Sequence, residues 1–136
     1  MTEDEIRELI AAAEAARAAA YAPYSQFTVG AALRGADGKI YPGCNVENAS
    51  FGLTICAERN ALAGAVARGE RTFPAIAVVT ENGVTPCGAC RQVLFEFNPQ
   101  MIVIVSDRAG HRQIYRLADL LPAAFGPVQL PPSLPC

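Results

Sequence analysis

Three cysteines and one glutamate carry most of the chemistry this chain can do. Cys56-Ala57-Glu58 is followed, after a gap of 27 residues, by Pro86-Cys87-Gly88-Ala89-Cys90. Cys56, Cys87 and Cys90 supply three thiolates, enough to hold one zinc ion per chain while its fourth position stays open, and Glu58 is a carboxylate able to move the protons of a water there. An open position beside a proton carrier points to hydrolysis. The same residues admit two other readings. Cys87-x-x-Cys90 at a helix start also describes a thioredoxin-like redox dithiol, but that chemistry has no use for Cys56 or Glu58. A closed structural site with Cys44 as fourth ligand would leave Glu58 without a purpose.

Three thiolates on a divalent cation leave a net negative charge, which weakens the ion as a Lewis acid. A guanidinium hydrogen-bonded to the sulfurs would withdraw that charge, and Arg59 is the first choice for it, ahead of Arg91. His111, the one histidine, reads as an exposed turn residue, so zinc chemistry built on histidines and a Cys-His nucleophile pair are both excluded. Cys44 reads as a small buried hydrophobe and Cys136 as a tail residue.

The motif has to be placed by the elements around it. Thr2-x-x-Glu5 has the form of a capping box, and Ile6, Leu9, Ile10, Ala13 and Ala16 recur at helical spacing to about residue 20. Residues 27–33 and 39–46 read as two strands of a hairpin around Gly35-Ala36-Asp37-Gly38, and Gly30 leaves room for a close neighbour. Residues 57–68 read as a helix closed by Gly69, with Leu62, Ala65 and Val66 facing inward; 75–80 is a continuous apolar run suited to a buried strand. A helix over 87–97 follows Pro86, then strands over 101–105 and 113–116, and a short helix over 117–121. This order predicts an α/β chain, a three-layer α/β/α domain with a mixed five-stranded sheet. Both ligand groups then fall at helix N-termini, whose partial positive charge favours thiolates.

A length of 136 residues with 51% hydrophobic content suits a single domain over 1–136, ending in a proline-rich tail over about 126–136. A net charge of -2 and a pI near 5.3 offer no basic field, so polynucleotide is excluded as a partner. The acidic start Thr2-Glu3-Asp4-Glu5 is unlike a signal peptide, and no apolar run can span a bilayer, so a cytoplasmic location without membrane partners is expected. Five cysteines, an odd number, favour reduced thiols over a disulfide framework.

The chain resembles the small, all-cysteine cytidine deaminases. The resemblance runs through Tyr21-Ala22-Pro23-Tyr24-Ser25, Phe27-x-Val29-Gly30-Ala31-Ala32, Gly43-Cys44-Asn45-Val46-Glu47-Asn48-Ala49, Cys56-Ala57-Glu58-Arg59, Pro86-Cys87-Gly88-Ala89-Cys90-Arg91-Gln92 and Leu120-Leu121-Pro122 to Phe125. It implies a zinc-dependent homotetramer that converts cytidine and 2′-deoxycytidine to uridine and 2′-deoxyuridine with release of ammonia, a pyrimidine salvage reaction. It further implies that Asn45 and Glu47 hold the sugar hydroxyls, Phe27 lies beside the pyrimidine, the backbone at Ala57 reads the base carbonyl, and Phe125 enters a neighbouring subunit's pocket. Glu58 would take a proton from water to ring nitrogen N3 and then deliver one to the departing amino group. A deaminase of a related aminopyrimidine nucleoside such as blasticidin S is the alternative, opposed by Asn45-Val46-Glu47, which looks tuned to a sugar diol. The Phe51-Gly52-Leu53-Thr54-Ile55 stretch and the proline-rich tail depart from the family pattern.

Overall fold

A computed structural model describes residues 1–132. Helix α1 (Glu3–Arg17) begins on the expected capping box. Thr2 Oγ1 accepts from the Glu5 amide at 3.1 Å and the Glu5 carboxylate accepts from the Thr2 amide at 2.7 Å. Its apolar stripe buries Ile6, Leu9 and Ala13. The helix stops three residues earlier than the alanine run suggests. Tyr21 N donates to Asn45 O at 3.0 Å and Arg17 Nε to Thr28 O at 3.2 Å, so tertiary hydrogen bonds redirect the chain where propensity alone would continue it.

Strands β1 (Gly30–Arg34) and β2 (Ile40–Cys44) form the expected hairpin, turned by Gly38 at φ 83°, a conformation that favours glycine. Helix α2 (Ala57–Ala67) leads to β3 (Ala75–Val79), and helix α3 (Gly88–Phe95) connects β3 to β4 (Ile102–Ser106) before β5 (Arg112–Arg116). The sheet order is β2-β1-β3-β4-β5, antiparallel except for the parallel β3–β4 pair that α3 bridges. The mixed five-stranded sheet is as expected.

Alternation along the strands sorts the core into two faces. Ala32, Ala75, Ala77, Val79 and Ile104 pack under α1 with Ile6, Leu9 and Ala13. Ala31, Leu33, Ile76, Val78, Val103 and Val105 face the other way, toward Ala57, Ala61, Leu62 and Ala65 of α2 and Leu94 of α3. Two glycines let the helices come close. A Cβ on Gly30 would lie 1.9 Å from Ala13 O on α1, and one on Gly43 would lie 2.4 Å from Ala61 N on α2. The first was legible in the sequence.

Several boundaries differ from expectation. Residues 27–29 do not join the ladder of β1 because side chains hold them, as described below. Leu117–Leu120 is a 3-10 turn, too short to be an α-helix, and further 3-10 turns occur at Phe51–Leu53 and, inside the proline-rich tail, at Pro127–Gln129. Cys136 lies outside the described residues. Among those described, no helix is long and apolar enough to cross a membrane.

Candidate active site

Cys56 is the N-cap of α2 and Cys87 the N-cap of α3, and neither side chain makes a capping hydrogen bond. Both thiols are therefore free to face a third group, with helix N-termini behind them that favour negative charge. Cys90 lies one turn into α3 and is buried. The three sulfurs lie within 4.8 Å of one another, and Cys56 Sγ is 3.9 Å from Cys87 Sγ. Zinc–sulfur bonds of about 2.3 Å in a tetrahedron set sulfurs about 3.8 Å apart, so this spacing suits one zinc ion and is far too long for a disulfide. Cys44, at the end of β2, is not part of the cluster, which sets aside the four-cysteine reading.

The Cys56 thiol is drawn down to about 5, chiefly by the hydrogen-bonding Cys90 thiol and then by the Arg59 guanidinium, while that same bond and burial push Cys90 up. Sulfurs this close resist ionising together, and a cation among them removes the conflict. Arg59 Nη2 lies 3.6 Å from Cys56 Sγ, and its Nε is buried with no hydrogen-bond partner. Arg91 does something else. Its guanidinium donates to Pro86 O, Leu120 O and Thr85 Oγ1, each at 2.7 Å, clamping the loop that leads into Cys87. Glu58 is only 4% exposed, and burial is the main cause pushing its carboxyl up.

Cys56, Cys87 and Glu58 line a cavity of about 330 Å3 together with Phe27, Val29, Asn45 and Glu47, with Ser25, Thr54, Val78, Thr80, Val84 and Thr85 completing its walls. Asn45 and Glu47 continue β2 in extended form, paired through Val46 with Ile55 and through neighbouring amides with Tyr21. Positions two apart share a side of an extended chain, so both face the cavity while Val46 faces out. The Asn45 amide also holds the wall formed by Phe27 and Val29: Oδ1 accepts from Val29 N and Nδ2 donates to Phe27 O, both at 2.8 Å. With one backbone bond from Asn45 N to Val29 O at 3.2 Å, this lock takes the place of the full strand pairing expected at 27–29. Glu47 accepts from the amides of Tyr24 and Ser25 at 2.9 and 3.2 Å and from the Ser25 hydroxyl, which is the first cause holding its carboxyl below the usual range.

Ala57 is fully buried in the first turn of α2, where backbone amides are still unpaired by the helix. Phe125 does not line its own chain's cavity: it is 57% exposed, with its carbonyl held by Gln92 Nε2 at 2.8 Å. His111 is exposed and bonded to Asp107, outside the site. Thr80 was not singled out from the sequence. Buried at the end of β3, its Oγ1 accepts from Gly83 N at 2.8 Å and Val84 N at 3.2 Å, folding the loop that forms one wall. Its position just past a strand feeding the site is the signal that could have found it.

Three sulfurs spaced for one tetrahedral cation, beside a buried carboxylate in a largely apolar cavity that also presents Asn45 and Glu47, define the protein as a zinc-binding hydrolytic enzyme. Residues 3–106 match the family described as the cytidine and deoxycytidylate deaminase zinc-binding region. The chain is 51% identical over 124 residues, 89% of its own length and 91% of the relative's, to a cytidine deaminase of Sporosarcina psychrophila. It superposes on the crystal structure of cytidine deaminase from Burkholderia pseudomallei with a TM-score of 0.86 and 53% identity, covering 92% of this chain and 100% of that one. For the cytidine deaminase of Mycobacterium tuberculosis the TM-score is 0.80 at 41% identity, covering 90% and 98%. The chain belongs to the cytidine and deoxycytidylate deaminase family.

Proposed function

We propose that this chain deaminates cytidine and 2′-deoxycytidine to the uridine products, with Cys56, Cys87 and Cys90 holding the zinc ion and Glu58 carrying protons. The observation that supports it best is the placement of a buried carboxylate, Glu58, beside the three-sulfur cluster in one cavity whose lining also includes Asn45 and Glu47. Zinc in such a donor set supplies Lewis acidity toward water. Glu58, kept from solvent and raised by burial, is suited to hold a proton between taking it from water and giving it to the ring N3 and the departing amino group. Phe27 offers an aromatic face to the pyrimidine, the first-turn amides at Ala57 offer donors to its carbonyl, and Asn45 and Glu47 offer an amide and a carboxylate to sugar hydroxyls. Arg59 draws negative charge from the sulfurs.

The substrate is a nucleoside and not a nucleotide. The cavity lining holds two carboxylates, Glu47 and Glu58, and no lysine or arginine, so a 5′-phosphate would meet repulsion. Loss of absorbance with purified zinc-replete protein tests this on cytidine, deoxycytidine, cytosine and cytidine monophosphate. Turnover of the first two is expected. Equal efficiency on cytosine, or preference for the monophosphate, would overturn the assignment.

The same reading places the enzyme in a homotetramer, acting in a reducing, cytoplasmic compartment that keeps its unpaired cysteines as thiols. Phe51, 72% exposed, and Phe125 stand outside the chain's own core, and Phe51 lines a smaller hollow sharing Ser25, Glu47 and Thr54 with the main cavity. A neighbouring copy would cover such apolar surface and close the mouth with Phe125. Mixing Phe125→Ala chains with Glu58→Gln chains should then restore activity that neither has alone. A fully active monomer in sedimentation would refute the arrangement.

A further inference from the structure

Ser25 carries no role in the reading above, yet its side chain sits where two walls of the cavity meet. Its hydroxyl proton goes to Glu47 Oε2, and its oxygen accepts from Phe27 N at 3.0 Å. The other carboxylate oxygen, Oε1, is already taken by the amides of Tyr24 and Ser25. Between Ser25 and Phe27 stands Gln26, at φ 58°, a left-handed conformation that a residue with a side chain adopts only when its surroundings hold it. The turn is held on one side by Gln26 N donating to Ala22 O at 2.9 Å and on the other by the Ser25 hydroxyl. One hydroxyl thus ties the Glu47 carboxylate to the backbone that carries the Phe27 ring.

We infer that Ser25 is a positioning residue for nucleoside binding, its hydroxyl fixing Glu47 Oε2 toward the sugar and setting the place of Phe27 beside the base. This rests on the deaminase reading, because Glu47 and Phe27 matter here only as contacts to a nucleoside. The physical reasoning is direct. With Oε1 saturated by two amides, Oε2 is the oxygen with a lone pair left for a sugar hydroxyl. Ser25 is the group that keeps this oxygen from rotating and keeps the carboxylate ionised. Without the hydroxyl, Glu47 must bind the sugar from a looser carboxylate, and the Phe27 amide loses its partner. Such a loss falls on binding and leaves proton transfer at Glu58 untouched.

Steady-state kinetics of Ser25→Ala on cytidine and on 2′,3′-dideoxycytidine tests this. Dideoxycytidine presents no 2′- or 3′-hydroxyl to Glu47. The expected result is a rise of about tenfold in the KM for cytidine, as for loss of a hydrogen bond to a charged group, with kcat within about threefold. The KM for dideoxycytidine should rise several-fold less, and Ser25→Thr, which keeps a hydroxyl, should recover most of the cytidine affinity. Ser25→Cys, of similar size with a weaker donor, gives the same comparison if the alanine variant fails to fold. Equal KM changes for both substrates, a fall in kcat alone, or no change would overturn the inference while leaving the deaminase reading standing. An inactive zinc-replete wild-type protein would overturn both.

Discussion

Replacing Gly43 with alanine tests whether the contact between β2 and α2 sets the active site. Gly43 faces α2, and a methyl placed there would lie 2.4 Å from Ala61 N, 2.6 Å from Ala57 O and 2.9 Å from Ala61 Cα. Ordinary contact begins at 3.4 Å, so the first of these is about 1 Å short, and all three neighbours are backbone of one helix that cannot rotate aside. Two relaxations are open. If α2 lifts, it carries Cys56, Glu58 and Arg59 with it, and a shift near 1 Å exceeds the roughly 0.2 Å tolerance of zinc–ligand distances. Zinc retention against a chelator then falls, and kcat drops on the order of 10²-fold. If β2, an edge strand, bends away instead, Asn45 and Glu47 move, zinc stays, and KM rises. Either way overpacking should cost about 1–3 kcal/mol of stability. Gly64→Ala on the same helix is the control, since its methyl meets nothing nearer than the Arg68 guanidinium at 3.4 Å. It should be neutral or slightly stabilising. Wild-type stability, zinc retention and kinetics in Gly43→Ala would refute the reasoning.

Three further outcomes are expected. Glu58→Gln should retain zinc and fold while slowing deamination more than 10²-fold, measured as single-turnover loss of cytidine absorbance in metal-replete protein; near-normal turnover would reassign the proton carrier. Cys44→Ser should leave metal content at one zinc per chain by atomic absorption, because Cys44 stands outside the sulfur cluster; loss of zinc with the fold intact would restore the four-cysteine reading. Tyr41 donates to Asp37 at 2.6 Å, and this bond chiefly pushes its phenol up to about 12. The folded state holds that proton more tightly than the unfolded state, so the bond's contribution is complete below about pH 10 and fades as pH climbs toward 12. An alkaline ultraviolet titration should show one tyrosine ionising late, and Tyr41→Phe should remove that step.

Elements governed by local pattern were legible in the sequence. The apolar run at β3, the capping box of α1, the hairpin turn at Gly38 and the close approach at Gly30 each follow from rules acting within a few residues. The misplaced boundaries share another cause. Residues 27–29 look like strand, with Phe27 and Val29 alternating, but their hydrogen bonds go to Asn45, whose side chain and amide both engage them from 16 to 18 positions away. Ala18, Ala19 and Ala20 look like helix, but the chain must leave α1 for Tyr21 to pair with Asn45. Long-range hydrogen bonds between isolated backbone groups, or from a side chain to backbone, have no period, so no pattern in the sequence announces them.

The same distinction separates Arg59 from Arg91. Arg59 stands three residues after Cys56, one turn along α2, so helix geometry brings its guanidinium to the sulfur. Arg91 stands one turn along α3 from Cys87 in the same way, so helix spacing alone does not tell the two arginines apart. Three acceptors from Thr85, Pro86 and Leu120 draw Arg91 away. The Leu120 bond could not be foreseen, since it depends on where the C-terminal segment crosses α3. Arg91 and Gln92 then hold the carbonyls of Leu120 and Phe125 in turn. The helix that offers Cys90 to the metal therefore also fixes the segment that presents Phe125 to solvent. In a tetramer where Phe125 enters a neighbouring pocket, that coupling would tie the geometry of one subunit's zinc site to the closure of the next subunit's cavity.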